Sequence, residues 1–185
     1  MSLPLSTTWP GHLLDLAEWA ALPEDTSRRV ELAEGVLQVA PKPIPLHQRI
    51  VVRLVNQLDA GADGRWAAFA DVEVVIEDAP AATVRAPDVV LVPPDLSVTV
   101  PRWDAREVMA AVEVLLPGSR RLDRIVKFHE YADAGIPVYL LVEATDDGVE
   151  LTEFVLVEGA YQQVAVHRGT AALRLGVTLD LAALA

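Results

Sequence analysis

The sequence contains no cysteine, and this absence removes several kinds of chemistry. Without a thiol the chain can form no disulfide framework, no thiolate metal site and no cysteine nucleophile. It also lacks any run of about 18 apolar residues, so no segment predicts a transmembrane helix. The apolar stretch after Gly11 is interrupted by Asp15 and Glu18, which is not the pattern of a signal peptide. We therefore expect a cytoplasmic protein.

Positive charge and aromatic side chains are both scarce. The chain has 15 Lys and Arg residues against 27 Asp and Glu residues, for a formal net charge of −12. Because neutralising phosphates requires Lys and Arg, this balance argues against an unselective nucleic-acid coat, although it allows a local basic site inside an acidic shell. The 4 tryptophans are scattered, so we expect no platform for stacking single-stranded bases.

Hydrophobic residues make up 52% of the 185 residues, which predicts one folded domain over residues 1–185. Their periodicity predicts helices over 12–21, 47–64 and 119–135. It predicts strands over 66–77, 83–92, 107–116 and 138–144, hairpins over 29–40 and after 146–148, a loop over 93–106, and an apolar tail that packs back as a strand or short helix.

These elements predict an α/β fold, with a mixed central sheet flanked by helices. The helix over 119–135 connects two strands as a crossover, so the strands over 107–116 and 138–144 are expected to be parallel. In the first predicted helix, the apolar face consists of Leu13, Leu16, Ala17 and Ala20.

Two acids stand out because they adjoin apolar strands. Glu113 interrupts VMAAVEVLL, where a carboxylate is costly unless it is paired or bound to a metal. A buried ion pair or the solvent side of an edge strand would also explain it. Asp88 follows Pro87 before the run VVLV, where a strand-start turn is the plainer explanation. If the two strands are neighbours, Asp88 and Glu113 converge, and paired carboxylates suit hard cations such as Mg²⁺ and Mn²⁺.

The next segment, GSRRLDRIVKFHEY, forms a local positive patch made of Arg120, Arg121, Arg124 and Lys127. Asp123, Lys127 and Tyr131 are four residues apart, so they share one stripe of the predicted helix. An ordinary ion pair on a solvated face would explain this stripe. The functional interpretation is an ammonium beside two carboxylates, where it polarises a water or stabilises a phosphorane.

Two further residues are candidates for the same cleft. Glu31 lies between Val30 and Leu32 in the first hairpin and faces the opposite way, and an exposed strand acid is the plainer explanation. His47 and Gln48 begin the second helix within reach of the cleft, although N-capping is the plainer role for them.

Three strings resemble the Uma-two family, the bacterial "putative restriction endonuclease" family. LPEDTSRRVELAEGVLQVAPKPIPLHQRIVVRL is similar to its start, and APDVVLV and VEVLLPGSRRLDRIVKFHEYADAGIPVYLLVE are similar to its centre. The resemblance covers about residues 12–183 and is most specific over 112–143. It implies a restriction-endonuclease-like fold of the PD-(D/E)XK superfamily.

The resemblance also implies roles for individual residues. Pro87-Asp88 corresponds to "PD", and the strand over 113–115 corresponds to "(D/E)XK" without its Lys, which Lys127 supplies from the following helix. Lys127 with Tyr131 is similar to the helical Gln-x-x-x-Tyr of related nucleases, and Glu31 corresponds to an additional N-terminal acid. The chain departs from the family at 116–119, where Leu-Pro-Gly-Ser replaces Ser-Pro-Ser-Thr, and at Val30, where Tyr is common.

We therefore expect a divalent-metal-dependent phosphodiesterase, a DNA endonuclease that uses Mg²⁺ or Mn²⁺. Asp88, Glu113 and the Val114 carbonyl would bind the metal, and Lys127 would orient or activate water. Glu31 would bind a second metal or hold Lys127. Phosphate would approach over Arg120, Arg121 and Arg124. We also expect a homodimer, because such folds often pair to span two strands and the C-terminal hairpin leaves an apolar edge.

Two alternatives from other classes remain open at this stage. A catalytically silent protein that keeps the fold as a binding or regulatory module would agree with the net charge of −12. A carboxylate-pair glycosidase would require an open sugar cleft and no cation between its acids.

Overall fold

The computed structural model of the protein describes residues 11–23, 28–40, 42–115 and 121–185, with only the backbone described at 40 and 121–124. The helices of this part are α1 Leu16–Ala21, α2 Pro45–Ala60 and α3 Arg121–Asp133, with a 3₁₀ turn at Ala105–Glu107. The strands are β1 Arg29–Ala33, β2 Val36–Ala40, β3 Ala67–Ala70, β4 Glu73–Glu77, β5 Thr83–Arg85, β6 Val89–Val92, β7 Arg102–Asp104, β8 Ala110–Leu115, β9 Val138–Thr145, β10 Gly148–Val157, β11 Ala160–Arg168, β12 Thr170–Ala172 and β13 Thr178–Asp180.

The larger sheet has six strands in the order β11-β10-β9-β8-β6-β3. β8 and β9 are parallel and α3 connects them, which confirms the predicted crossover, and β6 pairs with β8 as expected. One face packs on α2 through Ile50, Leu54 and Leu58. The other face carries a second core cluster that includes Tyr131 of α3 and Tyr139 of β9.

The alternation of side chains along β8 decides where its acid points. Val112 and Val114 belong to the core cluster on the α2 face, whereas Ala111 belongs to the cluster on the α3 face. Because successive side chains of a strand point to opposite faces, Glu113 lies on the α3 face of the sheet. The crossover helix therefore covers the one acid that interrupts this apolar strand.

The smaller sheet has five strands in the order β2-β1-β5-β4-β7. The β1–β2 hairpin confirms the prediction for residues 29–40, with its turn at Glu34 and Gly35. β5 belongs to this sheet and β6 to the larger one, so the chain crosses between the sheets at 86–88. Asp88 lies at that crossing, immediately before β6.

Several predicted elements are wrong in extent. The single strands predicted over 66–77 and 83–92 are each two strands in different sheets, and the first is broken at Asp71, where φ is 56°. The predicted loop over 93–106 contains β7 and the start of the 3₁₀ turn. The tail forms the two-stranded sheet of β12 and β13. Periodicity does not register these breaks, because it shows which residues of a segment are apolar but not which sheet each part of the segment joins.

The first helix is shorter than predicted, and its buried face is different. Asp15 and Glu18 form a capping box that starts α1 at Leu16. Leu13 therefore precedes the helix and is 57% exposed, so the predicted apolar face is wrong, and Trp19 is the buried side chain of α1. None of the described helices combines the length and the apolar character needed to cross a membrane.

The turn that joins β1 to β2 yields a stability prediction. Gly35 has a φ of +75°, and a Cβ there would lie 2.7 Å from the Cβ of Leu13. Gly64 has a similar φ of +74° but nothing within 4 Å of its would-be Cβ. We expect Gly64→Ala to lower the free energy of unfolding by about 1 kcal/mol and Gly35→Ala by about 2–4 kcal/mol, because only the second adds a clash to the backbone strain. Urea denaturation measures both, and equal losses would contradict the packing argument.

Candidate active site

Glu113 is the centre of a buried polar cluster between the two sheets and α3. The residue is 8% exposed. Its Oε1 accepts a hydrogen bond from the Tyr131 hydroxyl at 2.7 Å and one from the Lys127 ammonium at 3.2 Å. Burial raises the pKa of Glu113, and Asp88 adds to this while Lys127 opposes it. Glu113 therefore takes part in a buried ion pair, and β8 is not an edge strand, because it pairs with β6 and β9.

Lys127 lies between two acids that are far apart in the chain. Its Nζ is 3.1 Å from Glu31 Oε1 and 3.2 Å from Glu113 Oε1. Burial disfavours the charged ammonium, but Glu113 and Glu31 outweigh this and raise the pKa of Lys127. A cation held between the acids counts against the glycosidase alternative.

Glu31 is buried rather than an exposed strand acid, with 8% of its surface accessible. Its Oε2 accepts a hydrogen bond from Arg85 Nη1 at 3.1 Å, and its Oε1 receives the Lys127 ammonium. Burial disfavours ionisation, but Lys127, Arg29 and Arg85 together outweigh it and lower the pKa of Glu31. The smaller sheet therefore presents this acid to α3.

Asp88 is connected to the backbone of β8 next to Glu113. Its Oδ2 accepts the Val114 N–H at 2.8 Å, and its side chain is 4% exposed. His47 Nε2 lies 3.1 Å from the same oxygen, and Arg29 Nη1 donates to Oδ1 at 2.8 Å. Burial opposes ionisation, yet the His47 hydrogen bond and the Arg29 charge lower the pKa of Asp88 to about 2.

Sequence reasoning missed two arginines of this cluster, one buried and one partly buried. Arg85 is fully buried, donates to both oxygens of Glu130 at 2.7 Å, and also donates to Glu31 and Gln38. Arg29 contacts Asp88 and places its Nη2 3.7 Å from Glu31 Oε1. The signal was present: Arg29 stands two residues before Glu31, which puts both on one face of β1.

His47 lies at this cleft, and the N-capping role that the sequence favours for it is wrong. It lies in the first turn of α2, whose N-cap is Ile44 and lacks a side-chain hydrogen bond. His47 instead directs Nε2 at Asp88, and its Nδ1 is buried without a hydrogen bond among the described residues. The position of its helix relative to the sheet crossing determines this contact.

The donor chemistry of the cluster fits a hard divalent cation, because its carboxylate oxygens are the ligands that Mg²⁺ and Mn²⁺ prefer. Over the described ranges, however, no group of three or more His, Asp or Glu side chains is arranged as a ready-made metal site. Arg29 and Lys127 contact the oxygens that a metal would need. The carboxylates are therefore chemically suited to a divalent cation, but they already form ion pairs with Arg29 and Lys127.

The predicted phosphate contacts fall mostly outside the described part of the chain. Arg120 lies outside the described residues, whereas Arg121 and Arg124 lie in α3, where only their backbone is described. Their role in binding phosphate stays a prediction, as does a metal contact from the Val114 carbonyl. The helix stripe is present for Lys127 and Tyr131, which both reach Glu113.

Comparison with known proteins gives a family and a fold. A family model described as "Uma2: Putative restriction endonuclease" matches residues 16–184. No curated protein matches the sequence. A crystal structure described as "a putative nuclease belonging to DUF820 from Anabaena variabilis ATCC 29413" superposes with a TM-score of 0.72. It is 15% identical, over 92% of this chain and 97% of that chain, so it is similar in fold. The nuclease-like α/β fold expected from the sequence is confirmed.

The contacts of Lys127 yield a stability prediction that depends on pH. Lys127→Met leaves two buried carboxylates without the cation between them, so we expect a loss of about 3 kcal/mol or more in the free energy of unfolding at about pH 8. The pKa of Glu113 would rise further above its ordinary value. A group whose pKa is raised in the folded state stabilises the fold at low pH, and this stabilisation disappears as the pH rises through the folded-state pKa. The stability that Lys127→Met loses should therefore be smaller at about pH 5 than at about pH 8.

Denaturant unfolding of the wild type and the variant at both pH values measures this difference. Lys127→Arg keeps the charge and serves as the matched control, with a smaller and less pH-dependent loss. A deficit for Lys127→Met that is the same at both pH values would show that the loss comes from packing and not from the carboxylates.

Proposed function

Because the chain belongs to the Uma2 family, whose description is "Putative restriction endonuclease", we propose that it is a divalent-metal-dependent phosphodiesterase that cleaves DNA. One observation carries this proposal: the Lys127 ammonium bridges Glu31 and Glu113, while the residue after Glu113 donates its N–H to Asp88. An acid pair with an adjacent ammonium is the set of groups that metal-assisted phosphoryl hydrolysis needs.

Asp88 and Glu113 would hold the metal, with the Val114 carbonyl as a further oxygen ligand. When bound, a divalent cation supplies charge stabilisation at the phosphate and acidifies a water. Lys127 has three N–H donors, of which Glu31 and Glu113 take two, so the third can bind the attacking water or a phosphate oxygen.

Other residues of the cluster orient these groups. The Tyr131 hydroxyl fixes Glu113 Oε1, and Arg85 fixes Glu31 through Nη1. Arg85 is itself held by both oxygens of Glu130, so the three elements β1, β5 and α3 are connected through one guanidinium. Such support keeps a reacting group in one orientation without movement during the reaction. Glu31 therefore holds Lys127, one of the two roles expected for it.

The finer parts of the proposal concern metal, substrate and assembly. We infer Mg²⁺ or Mn²⁺ from the oxygen donors, and DNA bound along Arg120, Arg121 and Arg124. We infer a homodimer from β11, the outermost strand of the larger sheet, because its Val166 is 45% exposed. We treat residues 1–185 as one restriction-endonuclease-like domain.

A catalytically silent binding module is the second candidate. Two observations favour it: the net charge of −12, and the occupation of both Asp88 oxygens by protein donors. Cleaving duplex DNA ordinarily requires a basic surface, and an acid held by protein donors is less available to a metal. A module of this kind would bind a partner without hydrolysing phosphodiesters.

Plasmid nicking in Mn²⁺ separates the two candidates. We expect Glu113→Gln to lower the nicking rate at least about 100-fold, because the amide keeps the shape of the side chain but removes the charge that binds the cation. Glu158→Gln is the matched control, since Glu158 is an exposed acid in the turn between β10 and β11. Undiminished nicking by Glu113→Gln would refute the proposal. A wild type that binds DNA but never nicks it would favour the binding module.

A further inference from the structure

We propose that Arg29 is a resident counter-cation in the metal's place, and that it must withdraw toward Asp71 before a divalent cation can bind. Arg29 then determines the metal affinity of the site, although neither the sequence motif nor the family match gives it a role. This inference rests on the proposed function, because it assumes that Asp88 and Glu113 are the acids that bind the metal.

The guanidinium of Arg29 lies against the buried acids. Arg29 Nη1 is 2.8 Å from Asp88 Oδ1, and Nη2 is 3.7 Å from Glu31 Oε1. Arg29 also donates to the Ala86 carbonyl at the crossing between the sheets. One guanidinium therefore pairs with Asp88 and lies close to Glu31, which shares the Lys127 ammonium with Glu113.

The charges of the cluster favour replacement of Arg29 over its coexistence with a metal. When ionised, Glu31, Asp88, Glu113 and Glu130 carry four negative charges, and Lys127 and Arg85 compensate two of them. Arg29 compensates a third, so one negative charge remains. A divalent cation in place of Arg29 would neutralise the cluster, whereas a divalent cation beside Arg29 would leave an excess of buried positive charge. Because like charges repel strongly in a site of low dielectric, replacement is favoured over coexistence.

Arg29 has a second acid, Asp71, to move to. Its Nε lies 3.4 Å from Asp71 Oδ1, and the Asp71 side chain is 67% exposed, against 4% for Asp88. Nε is buried and makes no hydrogen bond to any described residue. Asp71 stands at the break between β3 and β4, where its backbone φ is 56°. Arg29 is thus held between a buried and an exposed carboxylate, and moving outward keeps it paired.

The experiment measures Mn²⁺ binding directly, from the loss of the solution EPR signal of free Mn²⁺. We expect Arg29→Gln to bind Mn²⁺ roughly tenfold or more tightly than the wild type, because the competing cation is gone. Asp71→Asn should bind Mn²⁺ more weakly than the wild type, because Arg29 loses the acid that receives it. In the double variant, the effect of Asp71→Asn should disappear, because it acts through Arg29.

Three controls complete the design. Arg106→Gln removes an exposed arginine that pairs with Asp104, and it should leave Mn²⁺ affinity unchanged. Arg29→Lys keeps the positive charge and should stay close to the wild type. Asp88→Asn in the Arg29→Gln background should abolish tight binding, which shows that the Mn²⁺ is bound at this cluster.

The outcomes separate this inference from the proposed function. If the wild type binds Mn²⁺ and Asp88→Asn abolishes this binding, the metal site is supported. If Arg29→Gln then fails to strengthen Mn²⁺ binding, the role of Arg29 is overturned and the metal site stands. The role of Arg29 would also be overturned if Asp71→Asn weakened Mn²⁺ binding equally in the wild type and in Arg29→Gln. Asp71 would then act only by attracting the cation with its negative charge. Absence of binding in every variant would overturn both proposals.

Arg29→Gln removes the cation that pairs with buried Asp88, which could destabilise the fold, so circular dichroism checks that this variant is folded. Added Mn²⁺ should raise its thermal midpoint more than that of the wild type. If Arg29→Gln does not fold even with Mn²⁺, the Mn²⁺ affinities of Asp71→Asn and Arg29→Lys test the inference instead. Wild-type affinity in Asp71→Asn would overturn it. Weaker binding by Asp71→Asn, together with wild-type affinity in Arg29→Lys, would support it.

Discussion

The structure depends on compensating three carboxylates that are buried in one place. Glu31, Asp88 and Glu113 come from three different strands or strand ends, and burial alone would keep such acids protonated or drive the strands apart. Lys127 and Arg29 compensate them from α3 and β1. Ion pairs of this kind contribute little net stability once desolvation is counted, which supports the proposal that the cluster serves a function other than stabilising the fold.

The architecture supplies the meeting point. The chain passes from the smaller to the larger sheet at 86–88, and this crossing places Asp88 against the β8 backbone. The parallel crossover then lays α3 over the face of β8 from which Glu113 projects. Two apolar clusters, one on each face of the larger sheet, hold these elements in position. The acids lie where the sheets and α3 meet, so each sheet contributes part of the site.

The net charge of −12 limits how this protein could bind nucleic acid. An acidic protein does not attract nucleic acid broadly, so recognition of phosphate would require a local basic patch such as the one we propose at the start of α3. Arginine is far commoner than lysine in this chain, and Arg29 and Arg85 make several directed hydrogen bonds each. The planar guanidinium suits such multiple pairing, whereas the ammonium of Lys127 is a compact charge with a donor to spare.

The sequence by itself determined the class of fold and the parallel crossover, and it singled out the three acids that the structure brings into one cluster. Glu113 was recognisable because a carboxylate in an apolar strand requires a partner, and Lys127 because helical spacing carries it toward that strand. Only the tertiary structure decided that Arg29, Arg85 and His47 join them. Periodicity tells which way a side chain points from its own strand, but not which sheet that strand enters. The divisions at Asp71 and at 86–88 therefore escaped prediction, and so did the contacts they create, because both depend on pairing between segments distant in the chain.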